Sequence, residues 1–144
     1  MIRRTSLCAV LMFLCFLMTT GGHKQDVSSR EDVQWVVREQ YAALLMHAHT
    51  APKFAHLNLV EHLPKIDDFW CFVLGIHAEK HPYRGSSFEP HVKLHLDNED
   101  FQIWTDCLFK AIDSRFAGPI ASDWKNRAEQ MGLLFRHKLG LPLD

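Results

Sequence analysis

The chain has 144 residues, which suits a single domain. Hydrophobic residues make up 47% and charged residues 23%, so a core can be buried, and a net charge of −1 leaves no electrostatic footprint for nucleic acid. Of four cysteines, Cys8 and Cys15 lie in an N-terminal apolar run. Cys71 and Cys107 each stand beside large apolar residues, so two reduced, buried thiols are expected and a disulfide framework is not.

Residues 1–27 read as lying outside the folded domain. Arg3 and Arg4 precede an apolar run from Leu7 to Met18, and Thr19-Thr20-Gly21-Gly22 follow. This is the layout of a secretory signal, too short for a comfortable membrane span. It implies a periplasmic or secreted protein, with membrane contact only if the leader is retained. The competing reading starts translation at Met18, which leaves a short disordered tail on a cytoplasmic protein.

The domain is expected over 28–142. Ser28 and Glu31 have capping-box spacing, and the stripe Val33, Val36, Val37, Tyr41, Leu44, Leu45, Ala48 predicts a helix of about five turns with Tyr41 on its buried face. That helix ends before Thr50-Ala-Pro52, and Phe54 falls in a connector. Ile66, Phe69, Trp70, Val73 and Leu74 form a second stripe, and His62 lies four residues before Ile66 on the same face. Pro64 predicts that this helix starts within a residue or two of His62. From His77 to Gly85 the chain is polar and reads as an exposed loop carrying His77 and His81.

Residues 86–95 read as a short helix with a serine cap and with His91 and His95 on one face. Asp97 to Asp100 cap a helix striped by Phe101, Trp104, Leu108, Ala111, Ile112 and Phe116, which Gly118-Pro119 ends. The last helix carries Trp124, Ala128, Met131, Phe135 and Leu139 and stops at Gly140-Leu-Pro142. No run alternates as a strand does, so the fold class is all-α.

Ten histidines are many for this composition, and four readings compete for them. His91 and His95 at i, i+4 have zinc-ligand spacing, but no Glu or Cys joins them in a metalloprotease pattern. Nucleophilic catalysis lacks a G-x-S-x-G and an electropositive cysteine. Histidines scattered over the core and surface of a plain helical bundle, a haemless interaction module, are the third reading. Haem is the fourth: one imidazole on iron and a second polar group across from it, between aromatic walls. His91 and His62 supply that pair, and the absence of C-x-x-C-H excludes covalent attachment.

The ordered set of motifs decides among them. Tyr41 is followed by Ala51-Pro52-Lys-Phe54, then His62-Leu-Pro-Lys65-Ile66-Asp-Asp-Phe69-Trp70. Gly85 stands six residues before His91, and Phe101-Gln-Ile-Trp104 follows. From about Ser28 to Leu139 the chain resembles the truncated globins, their third group above all. Two departures are a longer loop between Gly75 and Gly85, and His95 where the family has proline. His95 is therefore a rival iron ligand to His91.

The resemblance implies a two-on-two helical sandwich around haem b. It implies His91 as the metal ligand, and Phe54, Ile66, Phe69, Trp70 and Leu108 as apolar lining. Lys65 would reach a propionate, and Tyr41, His62 and Trp104 would form the distal pocket. The implied ligands are dioxygen and nitric oxide, in a binding protein rather than an enzyme. The alternative is a redox enzyme such as a nitric oxide dioxygenase or a peroxidase-like protein, served by a reductase.

Overall fold

The computed structural model describes residues 22–77 and 83–143. The apolar leader with Met18, and His81, lie outside them. Among the described residues there are six helices and no strand: α1 (Arg30–Met46), α2 (Ala51–Phe54), α3 (Leu59–Leu74), α4 (Glu89–Val92), α5 (Asn98–Arg115) and α6 (Pro119–Lys138). None is long and apolar enough to cross a membrane. Helix α1 pairs with α3 and α5 with α6, and the two pairs lie on one another, α1 against α5 and α3 against α6. The result is an all-α, two-on-two sandwich.

Local chemistry sets the helix ends. The cap of α1 is Ser29 rather than Ser28, with Asp32 as its reciprocal partner. The Asp32 carboxylate accepts from the backbone N–H of both serines, while Glu31 stays exposed. Asp97 and Asp100 make the expected box on α5. Gly75 and Gly140 take left-handed φ values of 70° and 71°. Each closes a helix with the paired 6→1 and 5→2 bonds of a Schellman motif, Ile76 to Cys71 with Gly75 to Phe72, and Leu141 to Arg136 with Gly140 to His137.

Helix α3 starts at Leu59, three residues before His62, and takes Pro64 inside its second turn. The carbonyl that Pro64 leaves without a donor belongs to Val60, which is 85% exposed, so water can serve it. Helix α4 is a single turn. Ser86 Oγ accepts from Phe88 N–H and Glu89 N–H, as a capping serine does, but the chain leaves the helix after Val92 and His95 sits at φ 50°. His91 and His95 therefore do not share a face.

The packed chain begins before Ser28. Val27 is fully buried. The Asp26 carboxylate accepts from the N–H groups of Ile120 and Ala121, both at 2.8 Å, and so caps α6 from the other end of the sequence. Gly118 makes this contact fit: a Cβ there would stand 2.5 Å from Asp26 Cγ. Replacing Asp26 by alanine orphans two donors at that helix start. It is expected to lower stability by about 1–2 kcal/mol, read as a lower denaturant midpoint; an unchanged midpoint would mean that water caps α6 equally well.

The core stripes are close to those expected, with polar exceptions. Val33, Val36, Val37, Tyr41 and Leu44 of α1 are buried, and so is Gln40. On α3 the fully buried face is Asp67, Trp70 and Cys71, whereas Ile66 and Phe69 are half-buried. Asp67 is 0% exposed and receives both Arg38 guanidinium nitrogens, at 2.8 and 2.9 Å, which ties α3 to α1. Leu108 is ordinary core at 0% exposure. Cys71 is buried, Cys107 is half-buried, and both are free thiols.

Candidate functional site

A cavity of about 590 Å³ opens between α1, α3, α4, α5 and α6. It is within the size range of cofactor and small-molecule sites. Its walls include Tyr41, His62, Lys65, Ile66, Phe69, Trp70, His91 and Trp104, so eight of the ten residues that the resemblance assigned to the pocket line one space. The half-burial of Ile66 and Phe69 follows: one edge of α3 faces the core and the next faces this cavity.

Leu108 is core and does not join them, and neither does Phe54. Phe54 is buried at 4% exposure and packs edge-on against Tyr41, ring centroids 6.0 Å apart. It lines a much smaller void of about 20 Å³, which shares His91, Trp104, Met131 and Phe135 with the large cavity. His95 is exposed and lines neither. Gln40, Asp68, Tyr83, Arg84, Met131 and Phe135 also line the large cavity. Met131 and Phe135 showed in the sequence only as core stripe. Tyr83 and Arg84 lie in a loop with no periodic signal.

The walls are aromatic. Trp70 stacks on Trp104 with centroids 6.5 Å apart and leans on Trp124 at 5.4 Å. Phe69 meets Tyr83 edge-on at 5.2 Å. Phe135 holds the His91 ring at 5.0 Å. Gln40 donates from Nε2 to the Trp104 carbonyl at 3.1 Å, which joins α1 to α5 behind the cavity.

Polar chemistry concentrates at two places. Tyr41 Oη and His62 Nε2 are 3.3 Å apart. Burial raises the Tyr41 pKa well above its ordinary value, so the phenol keeps its proton at physiological pH. Burial lowers the His62 pKa, helped by the nearby charges of His91 and Lys65. The His91 pKa is also lowered by burial, against an opposing pull from the backbone of Ser87 and Phe88. His91 Nδ1 is covered and has no hydrogen bond of good geometry, whereas Nε2 is not so enclosed. Burial thus favours the neutral form of both imidazoles in this ring-walled cavity.

A sign follows for stability. With both folded-state values below the ordinary 6.5, the unfolded chain takes up protons first as pH falls. Their contribution is complete above about pH 6.5 and is lost as pH drops through the folded values. The melting temperature of the ligand-free protein should fall as pH drops below about 6.5. His62→Leu should flatten part of that slope, and an identical slope in the variant would show that His62 is not the group responsible.

No protein-family model matches the sequence, and a search of curated proteins found no match. Solved structures do match. The group III truncated haemoglobin of Campylobacter jejuni superposes with a TM-score of 0.70 at 19% identity, covering 81% of this chain and 94% of that one. The truncated oxygen-avid haemoglobin of Bacillus subtilis gives 0.64 at 22% identity, over 74% and 92% respectively. Such identities speak for the fold, and they agree with the helix order and pairing above. This chain has the fold of the truncated haemoglobins, two helical pairs laid one on the other.

Proposed function

We propose that this protein holds haem b without covalent bonds, takes His91 as its iron ligand, and binds dioxygen and nitric oxide beside Tyr41, His62 and Trp104. One observation carries the reading: a single ring-walled cavity of about 590 Å³ contains both a neutral imidazole on α4 and a phenol–imidazole pair from α1 and α3. The donor set suits the group. His91 offers Nε2, Phe69, Trp70 and Phe135 offer flat apolar surface, and the exposed cations Lys65 and Arg84 suit propionates. Both structural neighbours are haemoglobins, and one of them is described as oxygen-avid.

Ferrous haem bound there supplies one coordination position for a diatomic ligand. The chain's own residues decide how long the ligand stays. Tyr41 is a lasting O–H donor, because burial keeps it protonated. His62 sets where that proton points. With hydrogen on Nε2, His62 donates to Tyr41 Oη and leaves the phenol proton free for the ligand. With hydrogen on Nδ1, Tyr41 donates to His62 and must turn away to reach a ligand. Phe54, edge-on behind Tyr41, fixes the phenol's position.

The absorption spectrum of the purified protein tests the cofactor: a Soret band is expected, and a folded, colourless protein that takes up no added haem would end the reading. Tyr41→Phe tests the pocket. Losing a hydrogen bond to a ligand carrying partial charge should speed oxygen dissociation by roughly 10- to 100-fold in stopped flow. An unchanged off-rate would remove Tyr41 from the network. A continuous assay for nitrate, with nitric oxide and a reductant added to the oxygen-loaded protein, separates reversible binding from dioxygenase turnover.

A further inference from the structure

Away from the large cavity, His49, Asp97 and Asp100 meet where the corner between α1 and α2 touches the start of α5. We propose that this cluster is a divalent-cation site for zinc-like ions, with His49 Nε2, Asp97 Oδ1 and Asp100 Oδ1 as ligands. His49 Nε2 stands 3.2 Å from Asp97 Oδ1 and 3.4 Å from Asp100 Oδ1. One ligand atom from each of the three residues lies within 4.8 Å of the other two. A tetrahedral zinc ion with bonds of about 2.0–2.2 Å holds its ligands about 3.3–3.6 Å apart. The observed spacings to His49 already approximate those edges.

A second observation points to a ligand. Asp100 is 1% exposed, and its Oδ1 is covered yet receives no hydrogen bond. Its other oxygen is fully engaged, accepting from Asp97 N–H and from Lys53 Nζ. Lys53 also pairs with Asp97 Oδ2 at 3.2 Å. The lysine thus occupies the far oxygen of each carboxylate; both near oxygens stand beside one imidazole nitrogen, Asp97 Oδ1 while capping α5 through Asp100 N–H.

Asp97 Oδ1 already accepts from Asp100 N–H at 2.9 Å and also takes the nearer His49 Nε2 contact, so Asp100 Oδ1 alone is left without a donor. A cation between the three atoms satisfies Asp100 Oδ1 while Asp97 Oδ1 keeps its bond from Asp100 N–H. Glu99 completes the arrangement: its Oε2 is 3.7 Å from His49 Nδ1. At that distance Glu99 makes no hydrogen bond, but a carboxylate near the outer nitrogen favours hydrogen there and leaves the Nε2 lone pair for the ion. The three carboxylates also outweigh the positive end of α5, which by itself would repel a cation.

Titration of the full-length protein with zinc chloride, followed by calorimetry, is the test. One equivalent is expected to bind and to raise the melting temperature. Glu99→Gln should weaken binding by roughly 10- to 100-fold, as loss of an outer partner does, and His49→Ala by more than that. Lys53→Met should tighten it, because the competing ammonium is gone, and zinc should restore the melting temperature which that variant loses. No saturable binding at millimolar zinc overturns the proposal. So does binding that His49→Ala leaves unchanged, which assigns the ion to other histidines, and so does weaker binding in Lys53→Met.

Discussion

Replacing His91 with alanine is expected to abolish stoichiometric haem binding while leaving the fold intact. The ring is half-buried beside Phe135 on a single-turn helix, so its loss opens space without stripping the core. Among the described residues, no other imidazole is placed to substitute for it. His62 lines the same cavity but is held 3.3 Å from Tyr41 on α3. His95 is exposed and points its chain away at φ 50°. The measurement is the Soret absorbance per protein after haem titration. Added free imidazole should restore part of the band by filling the vacated position, whereas His95→Ala should bind haem as the parent does. A normal Soret band in His91→Ala would transfer the iron to another ligand, and a band lost in His95→Ala would name it.

The largest expected effect on stability comes from Arg38→Met. Asp67 is fully buried between α1 and α3, and both its oxygens are held by Arg38, at 2.8 and 2.9 Å. Removing the guanidinium leaves a carboxylate in the core without a counter-charge, a change that costs about 3–5 kcal/mol in buried pairs. The Arg38 side chain is itself 42% exposed, so water can reach part of the vacated space, and a loss near the low end, about 3 kcal/mol, is expected. Urea unfolding measures it. The double variant Arg38→Met, Asp67→Leu should recover most of the loss, because an apolar pair of similar bulk needs no counter-charge. A single variant that costs less than about 1 kcal/mol would mean that Asp67 is hydrated and the pair is a surface contact.

Much of this protein is legible in one dimension because its signals are local. A period of 3.6 residues places Val33, Val36, Val37, Tyr41 and Leu44 on one face, and the structure buries all five. Asp97 with Asp100, Gly75 and Gly140 mark helix ends through chemistry that spans only a turn. The same periodicity, read with the resemblance, brings Tyr41, His62, Trp70, His91 and Trp104 to one cavity. Where the local signal is ambiguous the reading slips by a turn or less. Ser28 and Ser29 are equivalent caps until Asp32 engages both, and Pro64 allows a helix to pass through it because Val60 is open to water.

The amino-acid order alone therefore determined the helices, their buried stripes and the set of rings and imidazoles available for a cofactor. Tertiary structure decided what depends on partners far apart in the chain. A polar residue flanking an apolar stripe reads as solvated, so nothing local shows that Asp67 is buried against Arg38, 29 residues away, or that Gln40 reaches the Trp104 carbonyl across 64. Asp26 caps a helix whose first bonded residue is 94 positions later. His91 was separated from His95 by where a one-turn helix stops, and Phe54 from the cavity by the ring of Tyr41 standing before it. Hydrophobic period and capping are encoded within a few residues, whereas the burial of a charge is settled only when a second element delivers its counter-charge.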